Sequence, residues 1–307
     1  MPSRGLDPRI KLRHLTCFWE VARLKSVVEA AEVLNITQPA VSKSLRELEE
    51  FLGGELFDRS RRRLALSPLG ETFFRYAATA LAALRQGIEA AKGGQEEATL
   101  RIGALPTVSA RVLPEAIQRL TAENHGLRAR IITGPNDYLL GLLRTAEVDL
   151  IIGRMARPEQ MLGLTFEHLY FERVVMAVRP HHPLLSKTPF EMMDIQPYQI
   201  LMPTPNSVIR QRVEQMLLAQ GAVDLRIEIE TVSNTFGRSY IRQSDAIWLI
   251  SEGVVAQDVI EGQLALLPAD MGDTLGPVGF TARAGQAPSL GLNLFMQQVR
   301  LTAERLR

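Results

Sequence analysis

Gln38, Ser42, Lys43 and Arg46 follow one another at steps of four, one and three residues, so a helix through them shows an amide, a hydroxyl and two cations on one face. That set can hydrogen-bond to base edges in a major groove and neutralise phosphates. A second group of polar residues follows the β-type runs of the chain's later two-thirds. Pro106, Thr107, Val108 and Ser109 come after TLRIGAL, Gly134 and Asn136 after IIT, and Arg154 after VDLIIG. Thr204, Asn206 and Ser207 follow QILMP, and Ser233, Asn234 and Thr235 follow RIEIETV. Carboxyl ends of strands are where open α/β layers bind ligands. Hydroxyls, amides and one guanidinium suit a small carboxylate or a polyol, with Arg154 as counter-charge. Any single Ser, Thr or Asn there is more readily a helix cap than a ligand contact, and only the set carries the reading.

The chain contains no GxSxG, GxxxxGK[ST], HExxH or helix-opening GxGxxG, so enzyme classes with compact signatures are disfavoured. His181 and His182 are adjacent beside Pro183, and neighbours on an extended chain point apart, which argues against a metal pair. The lone Cys17 can form neither an internal disulfide nor a thiolate cage and reads as core packing. Neither cofactor nor metal is expected.

The elements that must position the first group can be read from periodicity. A first helix is expected from about Lys11 to Leu24, with Leu12, Leu15, Phe18, Trp19 and Ala22 facing the core. Ser26 can cap the next helix, with Glu29 completing a capping box and Val27, Ala30, Ala31 and Leu34 buried. The paired alanines let another helix cross closely. After Asn35, a third helix starts with Thr37 as N-cap, tolerates Pro39 in its first turn and runs to about Glu50, with Val41, Leu45 and Leu48 inward. A solvated face is the plain alternative for Gln38, Ser42, Lys43 and Arg46, but two short helices joined by a tight polar turn favour DNA.

ELFDRSRRRLALSPLG can then form a strand pair, a wing with Arg59, Arg61, Arg62 and Arg63 at its tip. Clustered arginines repel one another and suit a phosphate backbone. Pro68 opens a long helix in which Phe74, Ala77, Leu81, Leu84, Ile88 and Ala91 alternate three- and four-residue steps, a seam for pairing with a second copy.

At 307 residues with net charge +1, the chain is too long for one core. Residues 1–66 carry 12 Lys and Arg against 9 Asp and Glu, leaving 23 against 25. A small basic module on a near-neutral body fits that split better than a wholly basic protein. The reading is a DNA-binding domain over 1–67, a dimerising helix over 68–93 and, after Gly93 and Gly94, an α/β body over 94–307. Alternating strands and helices there predict parallel sheets, in two lobes: about 98–168 with 272–307, and about 169–271. No apolar run approaches the roughly 20 residues of a spanning helix, and the N-terminus shows no secretion pattern, so a cytoplasmic protein without membrane contact is expected.

AAEVLNITQPAVSKSLRELEEFLGGELFDRSRRRLALSPLGE resembles the N-terminal signature of LysR-type transcriptional regulators, and the resemblance extends along the whole chain. It implies a winged helix-turn-helix, a dimerising linker helix and a two-lobed effector domain like periplasmic binding proteins of the second type, commonly in tetramers. It also implies groove contacts from Gln38, Pro39, Ser42 and Lys43, wing contacts from Arg59, Arg61 and Arg62, and an effector cleft at Pro106 to Ser109, at Gly134 and at Thr204 to Ser207. Lys43 stands where many relatives carry arginine, and lysine cannot fork bidentately onto guanine. Within the family, HLTCFWEVARLKSVVEAAEVL and RIGALPTVSARVLPEAI look like a branch controlling aromatic-acid catabolism and sugar uptake.

The expectation is therefore a ligand-responsive regulator, an activator of a catabolic operon answering a small carboxylate, with sugar or sugar-acid uptake genes as the alternative target. Expected partners are double-stranded operator DNA, the anionic effector, further copies of the chain in a dimer of dimers, and RNA polymerase as an additional candidate. A transport solute-binding protein, an enzyme with an appended DNA module and a nucleoid-structuring protein are the rivals from other classes.

Overall fold

A computed structural model describes residues 7–58, 64–91, 99–123, 127–222 and 225–306. The chain divides into two compact units, with the main boundary between Gly94 and Gln95.

In the first unit, α1 (Leu12–Leu24), α2 (Val27–Val33) and α3 (Gln38–Leu52) precede the two-residue strands β1 (Phe57–Asp58) and β2 (Ala65–Leu66) and the long α4 (Pro68–Ala91). Ser26 caps α2 by accepting the Glu29 N–H at 3.2 Å. Asn35 adopts a left-handed φ of 53°, which turns the chain into α3. Asparagine tolerates that conformation better than most residues. Phe18, Val21, Ala30, Val41 and Leu48 are fully enclosed in one core. Leu12 does not face it. It is exposed, and His14 takes the inward place instead, because the buried stripe of α1 runs through His14, Cys17, Phe18 and Val21.

The seam of α4 divides along its length. Phe74 packs on the Phe18 ring at 6.3 Å and Ala77 is buried in the same core, so both belong to their own module. Leu81 is half-buried, whereas Leu84 and Ile88 are exposed. The seam is therefore two surfaces: Phe74 and Ala77 close over α1, and Leu84 and Ile88 point outward.

The second unit holds two five-stranded sheets. The first lobe contains β3 (Thr99–Ala104), α5 (Pro106–Arg111), α6 (Leu113–Ala122), β4 (Arg128–Thr133), α7 (Asn136–Arg144), β5 (Leu150–Arg154) and β6 (Leu164–Glu172). The second contains β7 (Val174–Val178), β8 (Gln199–Met202), α8 (Arg210–Ala219), β9 (Arg226–Glu230), α9 (Asn234–Arg242), β10 (Ile247–Ser251), α10 (Glu252–Ile260) and β11 (Ala265–Leu266). The chain then returns through β12 (Gly276–Arg283) and α11 (Leu290–Ala303) to the first.

Sheet orders are β4-β3-β5-β12-β6 and β11-β7-β10-β8-β9. Only three strands in each are joined by parallel pairing. β12 runs antiparallel to β5 and β6, and β7 antiparallel to β10 and β11, so both sheets are mixed where all-parallel ones were expected. The reason is that the chain crosses between lobes twice, and the strand entered after each crossing, β7 and then β12, runs against the other four of its sheet. Those crossings lie between Glu172 and Val174 and between Leu266 and Gly276. β6, β11 and β12 fell outside the expected strand runs. β12 contains Gly276, Pro277 and Gly279, residues that weaken a strand signal, yet Gly279 is required: a Cβ there would come within 2.0 Å of the Glu167 carbonyl on β6.

Candidate functional site

The outer face of α3 is assembled as its periodicity requires. Val41, Leu45 and Leu48 bury the inner face, while Gln38, Pro39, Lys43 and Arg46 are exposed and Ser42 is half-buried. Thr37 occupies the N-cap position without a side-chain cap hydrogen bond. The Ser26 hydroxyl is engaged as the cap acceptor of α2. Arg59, Arg61 and Arg62, with Arg63, lie outside the described residues. The strand pair flanking them is in register, with Phe57 opposite Leu66 and Asp58 opposite Ala65.

One cluster on this face was not anticipated. Glu47, on α3, lies 3.0 Å from His14 Nε2 and 3.2 Å from Arg13 Nη2, both on α1, and 4.0 Å from Lys43 Nζ. His14 Nδ1 accepts the Lys11 N–H, so the ring proton sits on Nε2 and is donated to Glu47. The His14 hydrogen bond and the Arg13 guanidinium hold the Glu47 carboxyl below its usual range. An acidic side chain thus pins α3 to α1. Helical spacing on α3 alone cannot reveal a partner 33 residues away.

In the second unit a cavity of about 380 Å³ opens at the carboxyl ends of the parallel strands. Pro106, Thr107 and Ser109 line it from α5, Gly134 and Asn136 from the start of α7, Arg154 from β5, Ser207 after β8, and Asn234 and Thr235 from α9. Three expected residues do not line it. Val108 is fully enclosed in the first lobe's core, because one side of α5 must pack on the sheet. Thr204 and Asn206 are displaced from the lining by Pro203, Ser207, Val208 and Ile209. Sequence reasoning also missed eleven lining residues, among them Thr133, Thr231, Ile250, Ser251 and Val254. The first two end their β runs, a signal that was available. The last three belong to β10 and α10, which read as plain core.

Hydrogen bonds sort the polar lining. Thr107 Oγ1 donates to Glu172, 2.6 Å from each carboxylate oxygen. Arg154 is buried, with Nη2 donating to the Glu172 carbonyl at 2.7 Å and Nη1 to the Thr274 carbonyl at 3.1 Å. Burial pulls its guanidinium below its ordinary pKa, and the nearby Glu172 opposes that shift. Burial raises the Glu172 carboxyl, against the Thr107 hydrogen bond and the Arg154 charge. Arg154 is thus a structural tie as well as a wall of the cavity. Asn136 Nδ2 and Arg154 Nε are buried without partners. No acidic and no aromatic side chain is among the residues described as lining the cavity. Among the described residues no group of three His, Cys, Asp or Glu side chains could hold a metal, and no helix is long and apolar enough to cross a membrane.

A helix-turn-helix with an outward polar face, joined in one chain to a two-lobed body with a cavity at its strand ends, defines the class of regulators that pair DNA recognition with ligand binding. The chain belongs to the LysR family: residues 12–71 match the bacterial regulatory helix-turn-helix protein, lysR family, and residues 93–303 match the LysR substrate binding domain. It is 51% identical over 306 residues to the HTH-type transcriptional regulator PcaQ of Agrobacterium fabrum, covering 98% of this chain and 97% of that one. It is 33% identical to the uncharacterised regulator YdcI of Escherichia coli, covering 95% of each. Among solved structures, full-length LysG from Corynebacterium glutamicum with bound effector Arg superposes with a TM-score of 0.66 at 19% identity, covering 96% of this chain and 99% of that one. That likeness bears on the fold. The chain is a DNA-binding transcriptional regulator of this family.

Proposed function

We propose that the outer face of α3, through Gln38, Ser42, Lys43 and Arg46 with the wing arginines, reads an operator, and that a small carboxylate in the cavity alters how paired modules are held. The observation that carries the ligand class is the cavity wall: hydroxyls and amides from several strand ends, with no acidic side chain among its described lining residues. The α7 and α9 N-termini open onto the same wall through Asn136 and Asn234, and both favour negative charge. Pairing of copies falls to Leu84 and Ile88, the exposed part of the α4 seam. The target is a catabolic operon for aromatic acids of the protocatechuate type, which the 51% identity to PcaQ supports. Regulation of sugar-acid uptake is the second reading, favoured by the number of hydroxyls in the wall. The protein works in the cytoplasm as a regulator rather than an enzyme.

The test is calorimetry of the full chain with a panel of protocatechuate-pathway acids and sugar acids, coupled to footprinting on genomic fragments the protein captures. Saturable binding of one pathway acid with an altered footprint is expected. Binding confined to sugar acids would transfer the function to the second reading, and no binding by any acid would overturn the ligand class.

A further inference from the structure

Two of the cavity's polar wall residues are engaged across the junction between the lobes. Thr107 belongs to the first lobe, where its neighbour Val108 is core. Its hydroxyl donates to Glu172, which is 2% exposed. Glu172 Oε1 also accepts the N–H of Gly253 at 3.0 Å. Gly253 is the second residue of α10, whose Val254 and Val255 pack in the second lobe. One buried carboxylate therefore holds a donor from each lobe.

The fit leaves no slack. A Cβ at Gly253 would lie 2.5 Å from Glu172 Oε1 and 2.6 Å from Thr107 Oγ1. Beside this contact, Arg154 ties the two crossings together through the carbonyls of Glu172 and Thr274. Thr274 Oγ1 in turn accepts the Val174 N–H at 2.9 Å.

We infer that Glu172, Thr107 and Gly253 form a latch across the two lobes, and that Thr107 links cavity occupancy to lobe arrangement because it belongs to both. A ligand shifts a conformational equilibrium only by interacting differently with the two arrangements. A ligand satisfied by Ser109, Ser207, Asn234 and Thr235 leaves the latch untouched. One that takes the Thr107 hydrogen must displace Glu172 at the crossing, so occupancy and latch release are coupled. The link to occupancy rests on the cavity being the ligand site, whereas the latch is a property of the ligand-free protein and is tested there.

The test measures the distance between spin labels at Gln118→Cys on α6 and Gln211→Cys on α8, both exposed positions in opposite lobes. The full-length chain carries Cys17→Ser and is diluted with unlabelled copies so that only distances within one chain are read. The parent is expected to give one peak. Thr107→Val, close in shape but without the hydroxyl, is expected to add a displaced second peak, and Thr107→Ser to restore the single one. Glu172→Gln keeps an acceptor for Gly253 but not the charge that holds Thr107, and should show the same second peak at lower weight. A parent-like distribution in either folded variant, or failure of Thr107→Ser to restore it, overturns the latch. The cavity assignment stands or falls separately, on the calorimetry.

Discussion

The DNA-binding module and the ligand-binding body place their polar chemistry oppositely. In the module, Gln38, Lys43 and Arg46 stand in solvent above a core whose only buried polar side chains, among the described residues, are His14 and Ser44. In the body, Thr107, Asn136, Arg154 and Ser251 are all buried, and each lines the cavity. The difference follows from the partners. A duplex meets cations that stay hydrated until contact, so the module needs only an apolar base to hold them. A small molecule has to be desolvated, so groups able to meet it are sunk into the fold, where an unpaired polar atom is costly. Engaging Thr107 and Arg154 across the lobes pairs part of that set, while Asn136 Nδ2 and Arg154 Nε stay without partners, and it makes the cavity wall part of the skeleton.

Substitutions can break this contrast, and the largest effect belongs to the module. Phe18 is fully enclosed and packs in tilted contact with Phe57 and Phe73, ring centroids 5.6 and 5.5 Å apart. Phe18→Ala should cost about 3–5 kcal/mol, with loss of DNA binding while calorimetric ligand binding by the body persists. Loss of both would mean that the two regions do not fold independently. Next is Gly237→Ala in the body, where a Cβ would lie 2.5 Å from the Trp248 ring. Overpacking of roughly 1–3 kcal/mol should lower the body's thermal transition and leave DNA affinity of the folded protein unchanged.

A smaller, pH-dependent effect belongs to His182. It is buried, its Nδ1 accepts the Leu184 N–H, and burial holds its pKa below the ordinary 6.5. As pH falls through that value the unfolded imidazole takes a proton before the folded one, so the unfolded state gains. Stability of the body should be full above about pH 6.5 and decline below it, and melting of His182→Gln across the same range should be flatter. The smallest expected change is at the outer face of α3. Lys43→Ala or Arg46→Ala should reduce the slope of log affinity against log salt by about one unit, and an unaltered slope would place that residue away from phosphate.

The module's outward face was legible because a helix converts spacing directly into sides: once Val41, Leu45 and Leu48 are recognised as core, the positions of Gln38, Lys43 and Arg46 follow. Leu12 misled because the stripe of α1 contains a buried histidine, satisfied by Glu47 on another helix. In the body, strand ends named ten of the 21 residues of the cavity wall, since a ligand crevice follows from sheet topology. What could not be read was which donors remain available. Thr107 finds its acceptor 65 residues away and Arg154 one of its own 120 residues away. The mixed sheets escaped notice for a related reason: β12 pairs with β5 and β6 only after the chain has built the whole second lobe.

The central claim is that the outward side chains of α3 choose the DNA sequence, and selection of bound fragments from a random duplex pool tests it most directly. Wild-type protein should recover a two-fold-related motif. Gln38→Ala and Ser42→Ala should recover a degenerate form of it at the positions each side chain reads, with the spacing of the half-sites unchanged. Recovery of the identical motif by both variants would contradict the account.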